Sequence, residues 1–203
     1  MVSGVSIQDG EHHGETSGDD VARLVQQALK GDLKAFEGLV SLFQRQANAV
    51  VYRLLNNVDD AMEVTQDAFV KAYDKLSTLS NPRQFGPWLM RIAGNLALNR
   101  RRARALRTTV PIDAGDEEER GSSIKDPSAY SPMQNACANE AQAAIAAALE
   151  DLPEIQRDAL VMFSIGKVPQ KDVAKALGCS VEAVKWHVFS ARKKLKDKLA
   201  GYL

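Results

Sequence analysis

The run VPQKDVAKALGCSVEAVKWHVFSARKKLKDKL, from Val168 to Leu199, restricts the possible folds more than any other part of the chain. Val173, Ala174 and Leu177 recur at helical spacing. After a short interruption, Val181, Val184, Val188, Ala191, Leu195 and Leu199 form a second, longer stripe. The interruption is Gly178-Cys179-Ser180. Glycine takes the positive φ that ends a helix, and serine accepts from the free N–H groups of the next first turn. The spacing therefore predicts a helix-turn-helix, with Ala174 at the crossing, Gly178 in the turn and Val184 as buried anchor. Turning the stripe inward leaves Glu182, Lys185, Trp186, Phe189, Ser190, Lys193 and Lys194 outward, with Arg192, Lys196 and Lys198 beside them. Lysines alone often do no more than solvate a terminal helix. Joined to this turn and two aromatic rings, they suit a phosphate backbone and the edges of a groove.

A chain of 203 residues accommodates one medium domain or two small ones. Its formal net charge is zero, with 26 basic and 26 acidic residues, but these are unevenly spread. The first eighteen residues hold Asp9, Glu11 and Glu15 and no base, and residues 108–138 contain the acidic run Asp116 to Glu119. The positive charge is thus left on the segments with helical patterning, so neutrality overall does not argue against nucleic acid. Cys137 and Cys179 are too few for a disulfide framework, and His12 and His13 beside Glu11 lack further ligands. No metal or cofactor is expected. Without a long apolar run or a hydrophobic signal core, a soluble, cytoplasmic protein with no membrane insertion is expected.

In chain order, residues 1–18 read as a disordered tail. Asp19 or Asp20 begins a helix that reaches Lys30 and stops at Gly31. A second runs from Asp32 to Asn56-Asn57 with Leu33, Phe36, Val40, Phe43, Ala47, Val50 and Leu54 inward. A third, Asp59 to Leu76, turns Ala61, Thr65, Ala68, Phe69, Ala72 and Leu76 inward and shows Asp60, Glu63, Gln66, Asp67, Lys71 and Asp74 outward. Such an acidic face is most simply a solvated one. Ser77 to Gly86 is loop-like, and Pro87 then starts a helix whose buried side is Leu89, Ile92, Ala93 and Leu96. Its end carries Arg100, Arg101, Arg102, Arg104 and Arg107. Cations at a helix C-terminus gain roughly 0.3–1 kcal/mol each from the dipole, which accounts for two or three of them but not five. Residues 108–138 read as a flexible acidic linker, followed by a helix from about Glu140 to Leu152 and another after Pro153 with Ile155, Ala159, Leu160 and Phe163 inward. The expectation is an all-α chain of two small helical domains, residues 19–107 and 139–203.

Four stretches in this order resemble one family, the extracytoplasmic-function sigma factors, which direct bacterial RNA polymerase to promoters. DDAMEVTQDAFVKAYDKL resembles the segment that grips the polymerase clamp, and FGPWLMRIAGNLALNRRR the promoter-melting segment. LPEIQRDALVMF, and DVAKALG followed by VEAVKWHVFSARKKL, resemble the reader of the upstream element. The resemblance implies a region 2-like domain at 19–107 and a region 4-like domain at 139–203. It makes Asp60, Glu63, Gln66 and Asp67 contacts to core polymerase. It makes Asn81, Arg83, Gln84, Phe85, Trp88, Arg91, Arg100, Arg101 and Arg102 contacts to the melted downstream element, with stacking of roughly 1–3 kcal/mol for a base on an aromatic face. The alternative is that Phe85 and Trp88 pack the loop onto the helices, and for Phe85 the two readings weigh equally. Ser180, Glu182, Lys185, Trp186, Phe189, Ser190, Arg192 and Lys193 become contacts to the upstream duplex. Implied partners are core polymerase, promoter DNA in duplex and single-stranded form, and an anti-sigma factor.

Met62, Thr65 and Pro169 depart from the usual pattern, as do His187 and Ser190, where arginine is common and could grip a guanine. A response-regulator-like transcription factor would share the last fifty residues, but it needs a receiver with alternating strands. An enzyme would need a nucleophile–base pair, a glycine-rich phosphate loop or a ligand set, and none of these is legible. A helical adaptor would need neither the arginines nor the basic helix.

Overall fold

The computed structural model describes residues 18–108 and 143–200. The expected tail and acidic linker, apart from Gly18 and Thr108, lie outside these residues, as does the start of the helix from Glu140. Every regular element among the described residues is helical, which excludes a strand-containing receiver in residues 18–108.

The first domain is built from α1 (Gly18–Leu29), α2 (Leu33–Leu55), α3 (Val58–Asp74) and α4 (Phe85–Thr108). Short polar signals decide where each stops. Asp32 caps α2, its carboxylate accepting from the Lys34 and Ala35 amides at 3.0 and 3.3 Å. At the other end, Asn56 adopts a left-handed conformation, φ 52°, and its amide bonds to the Tyr52 carbonyl. Asn57 then caps α3 by accepting from the Asp60 amide at 2.9 Å. Two adjacent asparagines thus end one helix and start the next, since asparagine is among the few residues that tolerate αL and also cap well.

Residues 76–84 form two single 3₁₀ turns, Leu76–Thr78 and Pro82–Gln84, with Asn81 capping the second. Helix α4 starts at Phe85, two residues before the expected Pro87. Phe85 is fully buried and sits 5.4 Å from the Phe43 ring and 5.9 Å from Trp88. That packing pulls the first turn onto α2. A Cβ at the next residue, Gly86, would lie 2.7 Å from Phe43, so only glycine lets the helix start this close. The deepest layer of the domain is Val25, Leu39, Val50, Val51, Leu54, Leu89 and Met90. Leu33, expected inward, is instead exposed because it occupies the first turn, beyond the end of α1.

The second domain comprises α5 (143–150), α6 (Glu154–Leu160), α7 (Gln170–Leu177) and α8 (Val181–Leu199). Helix α6 continues as one wide π turn, Val161–Ile165. Ile155, expected inward, is exposed, while Asp158 on the next turn is buried. Helices α6 and α7 both pack on α8, and Val173, Ala174, Val184, Val188 and Ala191 are buried between them. Gly178 ends α7 at φ 67° and Ser180 caps α8 by accepting from the Ala183 amide at 3.0 Å, as the spacing predicts. Pro169 stands at the cap of α7 without a side-chain bond to it.

The buried apolar residues of both domains form one continuous cluster. Helix α4 touches α7, and the π turn rests on α2 and α4.

Candidate nucleic-acid interface and docking face

The helix-turn-helix presents one face of α8 to solvent. Its inward stripe is held by α6 and α7, so Glu182, Lys185, Trp186, Phe189 and Lys193 point outward and are exposed. Trp186 and Phe189 retain 59% and 69% of their accessible surface. Large aromatic rings left this open beside lysines are costly as mere decoration, and flat enough to lie against a groove. Three other expected contacts are placed differently. Arg192 donates to the Ser164 hydroxyl at 3.0 Å and lies over the Phe163 ring, 5.9 Å from its centre, so it ties α8 to the π turn. Ser190 is half-buried, and the Ser180 oxygen is taken by its own helix.

In the first domain, Thr78, Leu79, Ser80, Asn81, Gln84, Pro87, Trp88 and Arg91 line a cleft of about 330 Å³. Asn81 and Gln84 are exposed, and half-buried Trp88 and Arg91 face the same space. The combination of amide, aromatic face and guanidinium is what a single unstacked base with its phosphate requires. Phe85 is not part of this surface. Its ring is enclosed by Phe43 and Trp88, so it packs the loop, and the assignment to base contact is corrected. Arg83 turns away to pair with Asp19 at 2.5 Å on the opposite side of the loop.

The acidic face of α3 is present. Glu63, Gln66 and Asp67 are exposed, but Asp60 is half-buried beneath Arg100, 3.3 Å away, and Arg104, 3.6 Å away. Arg100 also pairs with Glu63 at 2.6 Å. The hydrogen bond to Glu63 is the main cause of its raised pKa, with the fields of Asp60 and Asp67 adding to it against burial. One arginine expected at the DNA and two acids expected at the polymerase therefore hold each other, linking α3 to α4. Exposed Met62 and Val70 lie on the same side of α3 as these acids; the sequence singles out Met62 as a departure from the family pattern there, and misses Val70. The only signal for Val70 is its position outside the inward stripe.

Arg91, Arg101 and Arg102 each have a partner on the second domain, although Arg102 stays exposed. Arg91 lies 3.6 Å from Asp172 of α7. Arg102 donates to the Ala176 carbonyl at 2.8 Å. Arg101 grips Asp158 with both terminal nitrogens, one at 3.1 Å and the other closer, and also reaches Glu154 at 2.7 Å. It donates a further bond to the Leu54 carbonyl at 3.0 Å, which fixes the direction of its fork. Burial opposes the charge of Arg101, but the hydrogen bond and fields of Asp158 and Glu154 exceed that and raise its pKa. Burial also raises the pKa of Asp158, against the lowering effect of Arg101. The two ends differ because Asp158 is the more deeply enclosed, at 2% side-chain exposure against 26%.

Among the described residues no group of histidines, cysteines and acids is arranged to hold a metal, and no helix is long and apolar enough to cross a membrane.

Comparison with known proteins matches residues 39–107 to Sigma-70 region 2 and residues 142–195 to Sigma-70, region 4. The chain is 31% identical over 184 residues to the RNA polymerase sigma-H factor of Pseudomonas aeruginosa, covering 89% of this chain and 94% of that one. It is 31% identical over 179 residues to the ECF RNA polymerase sigma-E factor of Escherichia coli, covering 87% and 92%. Among solved structures it is similar to CnrH in complex with the cytosolic domain of CnrY, at 26% identity and a TM-score of 0.57, covering 90% of this chain and 99% of that one. The fold is also that of the sigma factor RpoE of Bartonella quintana, solved with the anti-sigma factor NepR, at 22% identity and a TM-score of 0.58 over 82% and 98% of the two chains.

Proposed function

The chain belongs to the sigma-70 family, in its extracytoplasmic-function branch, and from that premise we propose that it joins core RNA polymerase and directs it to a set of promoters. The observation that carries this reading is the order of the two matched regions on two helical domains, each with an exposed face of suitable chemistry. The family acts by targeting, and all chemistry belongs to the polymerase. A cytoplasmic site of action follows from that partner.

In finer terms, the outward side of α8, with Lys185, Trp186, Phe189 and Lys193, reads the upstream duplex. Glu182 at its exposed N-terminal turn discriminates among bases that offer a donor. The cleft at Asn81, Gln84, Trp88 and Arg91 takes a base of the melted strand, and exposed Arg102 supplies a cation for its backbone, while Arg100 holds α3 and Arg101 holds α6 against α4. Glu63, Gln66 and Asp67, with Met62 and Val70, dock on the polymerase, and Asp60 supports that face through Arg100 and Arg104. Arg192 and Ser180 act by holding α8 in place. An anti-sigma factor is among the proposed partners, as membership of the family implies, and the similar CnrH was solved with a second protein, the cytosolic domain of CnrY.

Run-off transcription on genomic fragments, with core polymerase alone and with added protein, tests the reading. Discrete transcripts that depend on the protein are expected, and none across the fragment set would overturn it.

A further inference from the structure

The set of side chains with which α8 can meet a base is narrower than its sequence suggests. Its one guanidinium, Arg192, is committed to the Ser164 hydroxyl and the Phe163 ring. Ser190 is half-buried, and the Ser180 hydroxyl ahead of the helix already accepts from the Ala183 amide. His187 is half-buried as well, and its Nδ1 is enclosed without a hydrogen-bond partner. Lys185, Lys193 and Lys194 are exposed, but an ammonium on a flexible stem is a point charge, suited to the phosphates that flank a groove more than to one base edge. No fork of donors is therefore left to grip a guanine at its two acceptors.

What remains is Glu182, Trp186 and Phe189. Steps of four and three residues put them on one side of the helix, and all three are exposed. Two of them are flat and apolar. The His187 ring meets that of Trp186 at 71° with 5.1 Å between centres, so the indole is seated although it is open to solvent. In the major groove the apolar group on offer to such rings is the C5-methyl of thymine, since the other groups that distinguish the bases there are donors and acceptors. Along the axis Trp186 and Phe189 are roughly 4.5 Å apart, at ~1.5 Å per residue, against ~3.4 Å between base pairs, so the two rings span neighbouring steps. Glu182, one turn earlier, accepts and does not donate when ionised. It favours the amino group of cytosine or adenine and repels the carbonyls of guanine and thymine.

We propose that this chain reads its upstream element chiefly by apolar contact: Trp186 and Phe189 cover the C5-methyl groups of thymines in neighbouring base pairs, Glu182 reads a flanking amino group, and Trp186, the larger ring, is the main specificity-determining residue. The proposal rests on the assignment of α8 to the upstream duplex. It goes beyond that assignment by naming the chemical group that is recognised.

Replacing thymine by deoxyuridine removes the methyl and leaves every hydrogen-bonding atom of the base in place, which isolates the contact. Core polymerase with the full chain is bound to a promoter fragment recovered by run-off transcription, and each thymine of the duplex protected upstream is replaced in turn. At one or two neighbouring positions deoxyuridine should weaken binding about three- to fivefold, the worth of one methyl-sized group taken out of water. Trp186→Ala should bind the thymine promoter about tenfold more weakly and lose the thymine preference at one of these positions, with Trp186→Phe restoring part of it. Guanines replaced by 7-deazaguanine, which lacks the N7 acceptor, should bind as before. Indifference to deoxyuridine at every position, with upstream protection intact, would overturn the methyl contact and leave α8 at the duplex. A thymine preference that survives at every position in both Trp186→Ala and Phe189→Ala would overturn it too, as would a strong loss with 7-deazaguanine. Absence of upstream protection at a promoter that is nonetheless transcribed would instead remove α8 from the duplex, and the proposal with it. The deoxyuridine series needs no variant, so it decides the point even where Trp186→Ala folds poorly.

Discussion

Phe85 and Asp158 show how much one side chain decides. Sequence alone left Phe85 equally suited to stack on a base or to pack a loop. Its complete burial between Phe43 and Trp88 places its energy in the fold. Phe85→Ala should therefore cost about 3–5 kcal/mol, read as a fall in the urea midpoint without a change in slope. A loss of DNA binding at unchanged stability would return the residue to the interface. Asp158 gives a pH dependence of definite sign. Its folded pKa is raised, chiefly by burial and despite the opposing hydrogen bond of Arg101. The folded chain thus holds that proton more readily than the unfolded one. The stability from this group is fully present below the ordinary carboxylate value, ~4, and is lost as pH rises through the raised value. Relative to Asp158→Asn, the native protein should be more stable in urea near pH ~4 than near pH ~7. A stability difference between the two that stays flat over this interval would contradict the burial.

At the scale of the element, α8 separates two roles that the bare sequence merged. Its inward stripe and its cap follow from local chemistry, and both are seen. The outward cations divide in a way that spacing does not reveal. Lys185, Lys193 and Arg192 are all exposed, but Arg192 is also engaged with Ser164 and Phe163 of the π turn. Lys185→Ala with Lys193→Ala should reduce the slope of log K against log salt for upstream promoter DNA by about 2, at ~0.9 for each phosphate left without its lysine. Arg192→Ala should leave that slope nearly unchanged and lower thermal stability instead. A slope that falls as much for Arg192→Ala would put that residue back at the DNA. On α3, the pairing of Asp60 and Glu63 with Arg100 shows the same division. A face that reads as uniformly acidic is partly neutralised by its neighbour helix, which leaves Gln66 and Asp67 as its freest polar positions.

For the molecule as a whole, the acidic face of α3 and the contact between the two domains lie on different surfaces. The outward side of α3 is clear of the second domain, which contacts α4 and α2. Gln66→Lys with Asp67→Lys should accordingly abolish co-purification with core polymerase while leaving the radius of gyration of the free protein unchanged. Retained co-purification would move the docking face elsewhere, and an expanded free form would mean that α3 also holds the two domains together. The continuous apolar cluster through both domains makes the contact between them more than a set of surface ion pairs, which in water contribute only ~0–1 kcal/mol each.

The one-dimensional order of residues was enough for the helices, the Ser180 cap and most of the inward stripes, Leu33 and Ile155 excepted. Each depends on neighbours within a turn or two: Asp32 on Lys34 and Ala35, Asn57 on Asp60, Ser180 on Ala183. It was also enough for the helix-turn-helix and for the family, whose motifs are local. Only tertiary structure decided which charges are available. Arg101 meets Asp158 from 57 positions away and Gln46 meets Ile165 from 119. Periodicity says which side of a helix avoids water, but the partner of a charge depends on how whole helices dock, and docking is settled by the summed burial of many side chains from both domains.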